Sequence, residues 1–189
     1  MATDFAAARE NMIQSQVRTA DVTNLEVQDA MRAVARESLV APGKGHAAYA
    51  DTEVEYAPGR WMMRPRDVAK LLQALEPKAG ETALAIAAPY AAAVLEAMGL
   101  EVTRVDGEDL TAVEGRYDLV ISEGAVSTVP PEWTAALKLH GRLGVVERSG
   151  PVGRACVHVR SEEGVGGRPV FDSAAPFLSG FGPKPAFAF

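Results

Sequence analysis

The sequence predicts an open, mostly parallel α/β sheet with antiparallel strands at its C-terminal end and a helical appendage at its N-terminus. Three observations carry this. Apolar runs at residues 83–86 (ALAI) and 117–122 (YDLVIS) read as strands covered on both faces. Helical stretches at 66–75, 90–98 and 132–139 alternate with the strands. Finally, RLGVVER at 142–148 and RACVHVR at 154–160 are separated only by Ser149-Gly150-Pro151 and a short flank, a hairpin signal.

In chain order, residues 4–17 place Phe5, Met12, Ile13 and Val17 on one helical face. Residues 23–36 predict a second helix, with Thr23 and Glu26 as a capping box and Leu25, Met31 and Val34 as its apolar contacts. These two helices define an appendage at residues 1–48, and residues 49–189 form the main domain packed with it as one unit. Residues 42–58 read as loop. Residues 66–75 (RDVAKLLQAL) form a helix closed by Pro77 and Gly80, and the strand at 83–86 follows. Pro89, with no amide hydrogen and a fixed φ, opens the next helix, which Gly99 stops. EVTRV at 101–105 alternates as a strand and ends at Asp106; 109–115 is irregular. The helix at 132–139 stops at His140-Gly141, and 169–172 adds a last short strand.

A chain of 189 residues that is 48% hydrophobic is long enough to bury a full core. Its formal charge of −6 supplies no footprint for nucleic acid or for an anionic membrane. A single cysteine, Cys156, excludes an internal disulfide or a thiolate metal cluster, and its alternation with Val157 and Val159 marks it as a small buried hydrophobe. His46, His140 and His158 share no ligand spacing, so no metal is expected. With no signal-peptide pattern and no bilayer-length apolar run, the expected location is cytoplasmic.

A strand turning into a helix is where a doubly wound sheet receives a nucleotide-like ligand, because helix amides and close backbone approach are available there. Nucleotide-binding versions of the turn use glycine to reach positive φ without a Cβ clash. Here it reads Ala87-Ala88-Pro89-Tyr90, with no glycine.

The run ARENMIQSQVR, AMRAVARE with Val40, Tyr49-Ala50-Asp51, Pro65, LLQAL, Pro77, Gly80, RYDLVISEGAVSTVPPE and GRLGVV resembles the protein-L-isoaspartate O-methyltransferase family over most of residues 9–146. The resemblance implies a Rossmann-like class I methyltransferase sheet with an N-terminal helical appendage. It also implies S-adenosylmethionine as donor and methyl transfer to the α-carboxyl of L-isoaspartyl residues.

Set against the family pattern, the functional motifs are altered. The donor loop, strand-acid-x-G-x-G-x-G-Y, falls on Ala85 to Tyr90; it has lost its acid and its glycines and is about two residues shorter. Ala85 cannot meet the donor's charged amino group. The family's G-Q-T-I-S-Q-P falls on Gly59 to Pro65, placing Trp61 and Met63 where acceptor-site hydroxyls belong. Between Gly99 and Tyr117 there is room for one strand and a turn at about 3.3 Å per residue, so one edge helix and one edge strand are deleted.

The candidate cofactor-binding residues are therefore Ala87, Ala88, Tyr90, Asp106 and Glu123, and the acceptor region is Trp61, Met62 and Met63; no catalytic residue is assigned. Two readings stand for several of these. Asp106 is either a ribose-binding carboxylate or a solvated turn residue. Glu123 either faces a methyl acceptor or is leaving the core at a strand end. Trp61, Met62 and Met63 either line an acceptor groove or fill the vacated donor space. Phe177, Phe181, Phe187 and Phe189, interleaved with glycine and proline, form an extended strap that either packs on its own sheet or contacts a partner.

The expected function is that of a degenerate family member that has lost normal S-adenosylmethionine binding and acts as a binding or interaction module, with a protein partner or a second copy of itself. The alternative is an active S-adenosylmethionine-dependent protein-L-isoaspartate carboxyl methyltransferase in protein repair. Each lost contact is worth on the order of 1–3 kcal/mol, which favours the first.

Overall fold

The computed structural model describes residues 4–183. Its centre is a six-stranded sheet in the order β4-β3-β5-β6-β7-β8. β3 (Thr82–Ile86), β4 (Glu101–Val105), β5 (Tyr117–Val126) and β6 (Leu137–Arg148) run parallel, and β7 (Gly153–Ser161) and β8 (Gly164–Ser173) are antiparallel additions. The predicted class holds, with no strand outside β4 among the described residues, as the short 99–117 segment requires. No helix of the described residues is long and apolar enough to cross a membrane.

Side chains alternate between two buried layers, as the period of a strand demands. Ala83, Ala85, Leu119, Ile121 and Val146 face one cluster, whereas Leu84, Ile86, Val120, Leu143 and Val145 face the other. The first is covered by α1 (Phe5–Met12), α2 (Leu25–Ala33), α3 (Pro65–Leu75) and α4 (Pro89–Ala97). A chain that crosses from β4 over β3 to β5 must run on the opposite face. That crossover has no helix, so Leu110, Trp133 and the C-terminal residues Leu178 and Phe181 cover the second face instead.

Several elements differ from the sequence expectation. α1 is capped by Asp4, which accepts from the Ala7 amide at 3.0 Å. It then widens into a π-helical turn, Ile13–Val17, as Ser15 and Thr19 donate back to the Asn11 and Ser15 carbonyls at 2.7 Å each. α2 is capped by Asn24 rather than Thr23, because the amides of Thr23 and Asn24 are both held by Gln73 Oε1. Leu25, expected in the core, is exposed. The expected loop at 42–58 contains β1 (Val54–Ala57), which pairs with β2 (Arg60–Met62) in an antiparallel hairpin around Pro58-Gly59. α5 spans only Pro131–Ala135, since Leu137 already pairs with Tyr117 in β6. The strand then bulges at His140, φ +63, beside Gly141, where a Cβ would lie 2.9 Å from two carbonyl oxygens. β8 is ten residues long, not four.

At the N-terminal end of the parallel strands, Asp118 accepts from Lys138 Nζ at 2.8 Å and from the Thr82 amide and hydroxyl at 2.9 and 2.8 Å. Burial opposes its ionisation, but these donors outweigh it and hold the carboxyl down at about 2. A carboxylate with a depressed folded pKa stabilises above its unfolded value and loses that contribution as pH falls through the folded value. The urea midpoint is therefore expected to drop as pH falls from about 4 to about 2, more steeply than in Asp118→Asn. Parallel pH profiles for the two proteins would overturn this assignment.

Candidate functional site

The sheet reverses its strand order between β3 and β5, and the cleft lies where their C-terminal ends part. Ala87, the first residue after β3, takes φ +46 with its amide donating to the Val105 carbonyl at 2.8 Å. The turn therefore does demand the left-handed conformation for which glycine is suited; alanine enters it at a cost of about 1 kcal/mol.

The start of α4 is already satisfied from within. Pro89 has no amide hydrogen, Ala92 N bonds the Ala88 carbonyl, and Ala91 N donates to Glu123 Oε1 at 2.6 Å, with Tyr90 N also directed to that carboxylate. Glu123 Oε2 accepts from Met63 N at 3.2 Å, and the residue is 1% exposed. Burial raises its pKa, against which Arg36 and the backbone amides act. Arg36 is itself fully buried: Nε donates to the Ala48 carbonyl and Nη2 to the Met63 carbonyl, each at 2.8 Å, while the guanidinium lies 4.3 Å from the Tyr90 ring centroid. Arg36 Nη1, Tyr90 OH and Ser122 Oγ have no hydrogen-bond partner among the described residues.

Asp106 is also engaged. Its carboxylate accepts from Tyr56 OH at 2.8 Å and Arg60 Nη1 at 2.6 Å, and Arg60 Nη2 donates to the Gly107 carbonyl at 2.7 Å. Burial and the Asp106 carboxylate push the Tyr56 phenol up, so it remains a donor. The β1–β2 hairpin is thereby clamped onto the end of β4.

Two spaces remain. A cavity of about 300 Å³ lies between the hairpin and the segment 176–179, with Tyr56, Trp61, Ala87, Glu108 and Glu123 in its walls. A notch of about 30 Å³ lies among Ala85, Ala88, Pro89, Arg104 and Asp106, room for a water or two. The predicted residues are thus divided. Ala87, Glu123 and Trp61 border the cavity, Ala88 and Asp106 the notch, and Tyr90, expected among the donor contacts, is fully buried and borders neither. The expected acceptor trio is split as well: Met62 and Met63 are core residues, whereas Trp61, 40% exposed, does not fill the interior. Alternation within β2 sets Trp61 outward and Met62 inward, and Met63, just past the strand, is held inside by its amide bond to Glu123.

The strap packs on its own sheet where it is described. Pro176 and Leu178 pair with Ala125, Phe177 lies beneath the Arg148 guanidinium at 4.9 Å, and Phe181 stacks on Trp133 at 5.6 Å. Phe187 and Phe189 lie outside the described residues. Sequence reasoning missed Arg36, Tyr56 and Arg60, and it placed Phe177 in the strap without bringing residues 176–179 to the cavity. Tyr56 and Arg60 are 50 and 46 positions from Asp106, so no local spacing marks them. Among the described residues no group of three His, Cys, Asp or Glu side chains could hold a metal ion.

No protein-family model matches the chain. Individual proteins do. A protein-L-isoaspartate O-methyltransferase from Methylorubrum extorquens is 31% identical over 168 residues, covering 74% of each chain. One from Koribacter versatilis is 25% identical over 97% of this chain and 96% of its own. Among solved structures, a putative protein-L-isoaspartate O-methyltransferase from Plasmodium falciparum, in complex with S-adenosyl-L-homocysteine, superposes with a TM-score of 0.73 at 16% identity, over 94% of this chain and 99% of its own. The sheet order, the elements flanking it and the 31% identity converge, and the chain belongs to the protein-L-isoaspartate O-methyltransferase family.

Proposed function

We propose that this protein is a degenerate member of its family, a methyltransferase fold that serves as a binding module and does not hold S-adenosylmethionine in the family's manner. The observation that carries the reading is the internal use of the α4 N-terminus: the Ala91 amide, of the kind a helix N-terminus offers an anionic ligand group, donates instead to Glu123 at 2.6 Å. Two further observations support it. The carboxylate suited to a ribose, Asp106, is held by Tyr56 and Arg60, and the space beside it admits little more than water. At Ala85 a methyl group stands where a carboxylate would meet the donor's amino group. The residues present do not fit the donor, and no methyl-transfer step is derived.

The direct test is calorimetric titration of the purified full-length protein with S-adenosylhomocysteine, after confirming that no ligand copurifies. No saturable binding is expected at millimolar ligand. Micromolar binding would sink the proposal and support the second reading, an active isoaspartyl carboxyl methyltransferase, which methylation of an isoaspartyl peptide would then establish.

A further inference from the structure

The cavity between the β1–β2 hairpin and residues 176–179 has a composition that selects a ligand class. Trp61 is the one large aromatic among the exposed hydrophobic residues described, and it borders this cavity. Register slips between Glu55 and Ala57, and Tyr56 borders the same space as Trp61, with its hydroxyl fixed by Asp106. The walls therefore offer π surface, and Asp106 fixes the Tyr56 part of it.

Charge adds a sign to that surface. Among the described residues Arg60 is the one cation in the walls, and Asp106 pairs with it. Glu123 is balanced by Arg36, which is buried outside the cavity. Glu108, exposed in the cavity wall, has no ion-pair partner among the described residues. A negative charge beside the exposed Trp61 and the half-buried Tyr56 disfavours an anion and favours a cation with an apolar body. The protein's charge of −6 acts in the same direction at long range.

We propose that this cavity binds a small organic cation, an alkyl- or arylammonium group seated against Trp61 and Tyr56 with Glu108 at its charge. The inference deepens the preceding reading and rests on it, since a donor held in the family's manner would claim the same end of the sheet.

Benzyltrimethylammonium is the probe, and benzyl alcohol its neutral counterpart, each titrated by calorimetry into the full-length protein at low salt. The cation is expected to bind saturably at submillimolar to millimolar concentration, at least about tenfold more tightly than the alcohol. Trp61→Ala is expected to lose about tenfold, Trp61→Phe to keep most of the affinity, and Glu108→Gln to lose several-fold along with the salt dependence. Trp61 and Glu108 lie on the surface, so these variants leave the core intact. Absence of saturable cation binding, equal binding of the alcohol, or an unchanged Trp61→Ala would each overturn the proposal. Titration with S-adenosylhomocysteine separates the two readings: its binding together with the cation's overturns donor loss alone, and failure of both ligands overturns the cation site alone.

Discussion

Arg36→Met is expected to lower the stability of the fold by about 3–5 kcal/mol, the usual cost of removing one member of a buried charge network. Arg36 links four parts of the chain that are distant in sequence. From a 3₁₀ turn at Arg36–Ser38 it donates to the carbonyls of Ala48 and Met63, covers the Tyr90 ring, and offsets the buried Glu123 carboxylate. Methionine fills most of the volume, so the loss is not chiefly a cavity term. It arises because two buried carbonyls lose their donors and Glu123 loses the charge that offsets its burial. Lysine keeps the charge without the planar fork and is expected to recover only part of the stability. Urea unfolding followed by circular dichroism measures this, and a loss below about 1 kcal/mol for Arg36→Met would show that the network is not coupled as described. Combining Arg36→Met with Glu123→Gln is expected to destabilise less than the sum of the two, because each change removes the other's unpaired charge.

Trp133→Ala is expected to cost about 3–5 kcal/mol as well, for a different reason. The short link between β4 and β5 leaves one face of the sheet without a crossover helix, and Trp133 substitutes for much of that cover. Its ring is fully buried, its Nε1 donates to the Leu110 carbonyl at 2.8 Å, and Phe181 of the strap stacks on it. Truncation therefore opens a large cavity and releases two segments that this ring holds together. Trp133→Phe keeps the stack and loses the hydrogen bond, for which about 1–2 kcal/mol is expected. Limited proteolysis of the alanine variant is expected to cut first at residues 107–115 or C-terminal to Ser173. Initial cleavage in the N-terminal helices instead would place the weak point elsewhere.

The parts of the fold that were legible are those where local pattern and tertiary environment agree. Residues 83–86 of β3 and 119–121 of β5 are apolar on both faces, and α3 carries Val68, Leu71, Leu72 and Leu75 on one side; all of these are buried. Two features hid the β1–β2 hairpin: its strands are four and three residues long, and only one side of it meets the core. α5 was read too long because Trp133, Ala136 and Leu137 keep a helical i, i+3, i+4 spacing, while β5 pairing draws residue 137 onward into β6. The proposed cap at Thr23 failed because Gln73, fifty positions away, takes its amide.

The amino-acid sequence by itself determined the alternation of strands and helices, the antiparallel end of the sheet, the family resemblance and the alteration of its donor loop. These follow from residues adjacent in the chain, whose φ, periodicity and charge act locally. Only the tertiary structure decided that Glu123 caps α4, that Arg60 and Tyr56 hold Asp106, that Arg36 lies buried over Tyr90, and that Trp61 borders a cavity while Met62 and Met63 pack inside. Each joins groups brought together by folding, and whether a buried polar group is free for a ligand depends on which distant partner reaches it first.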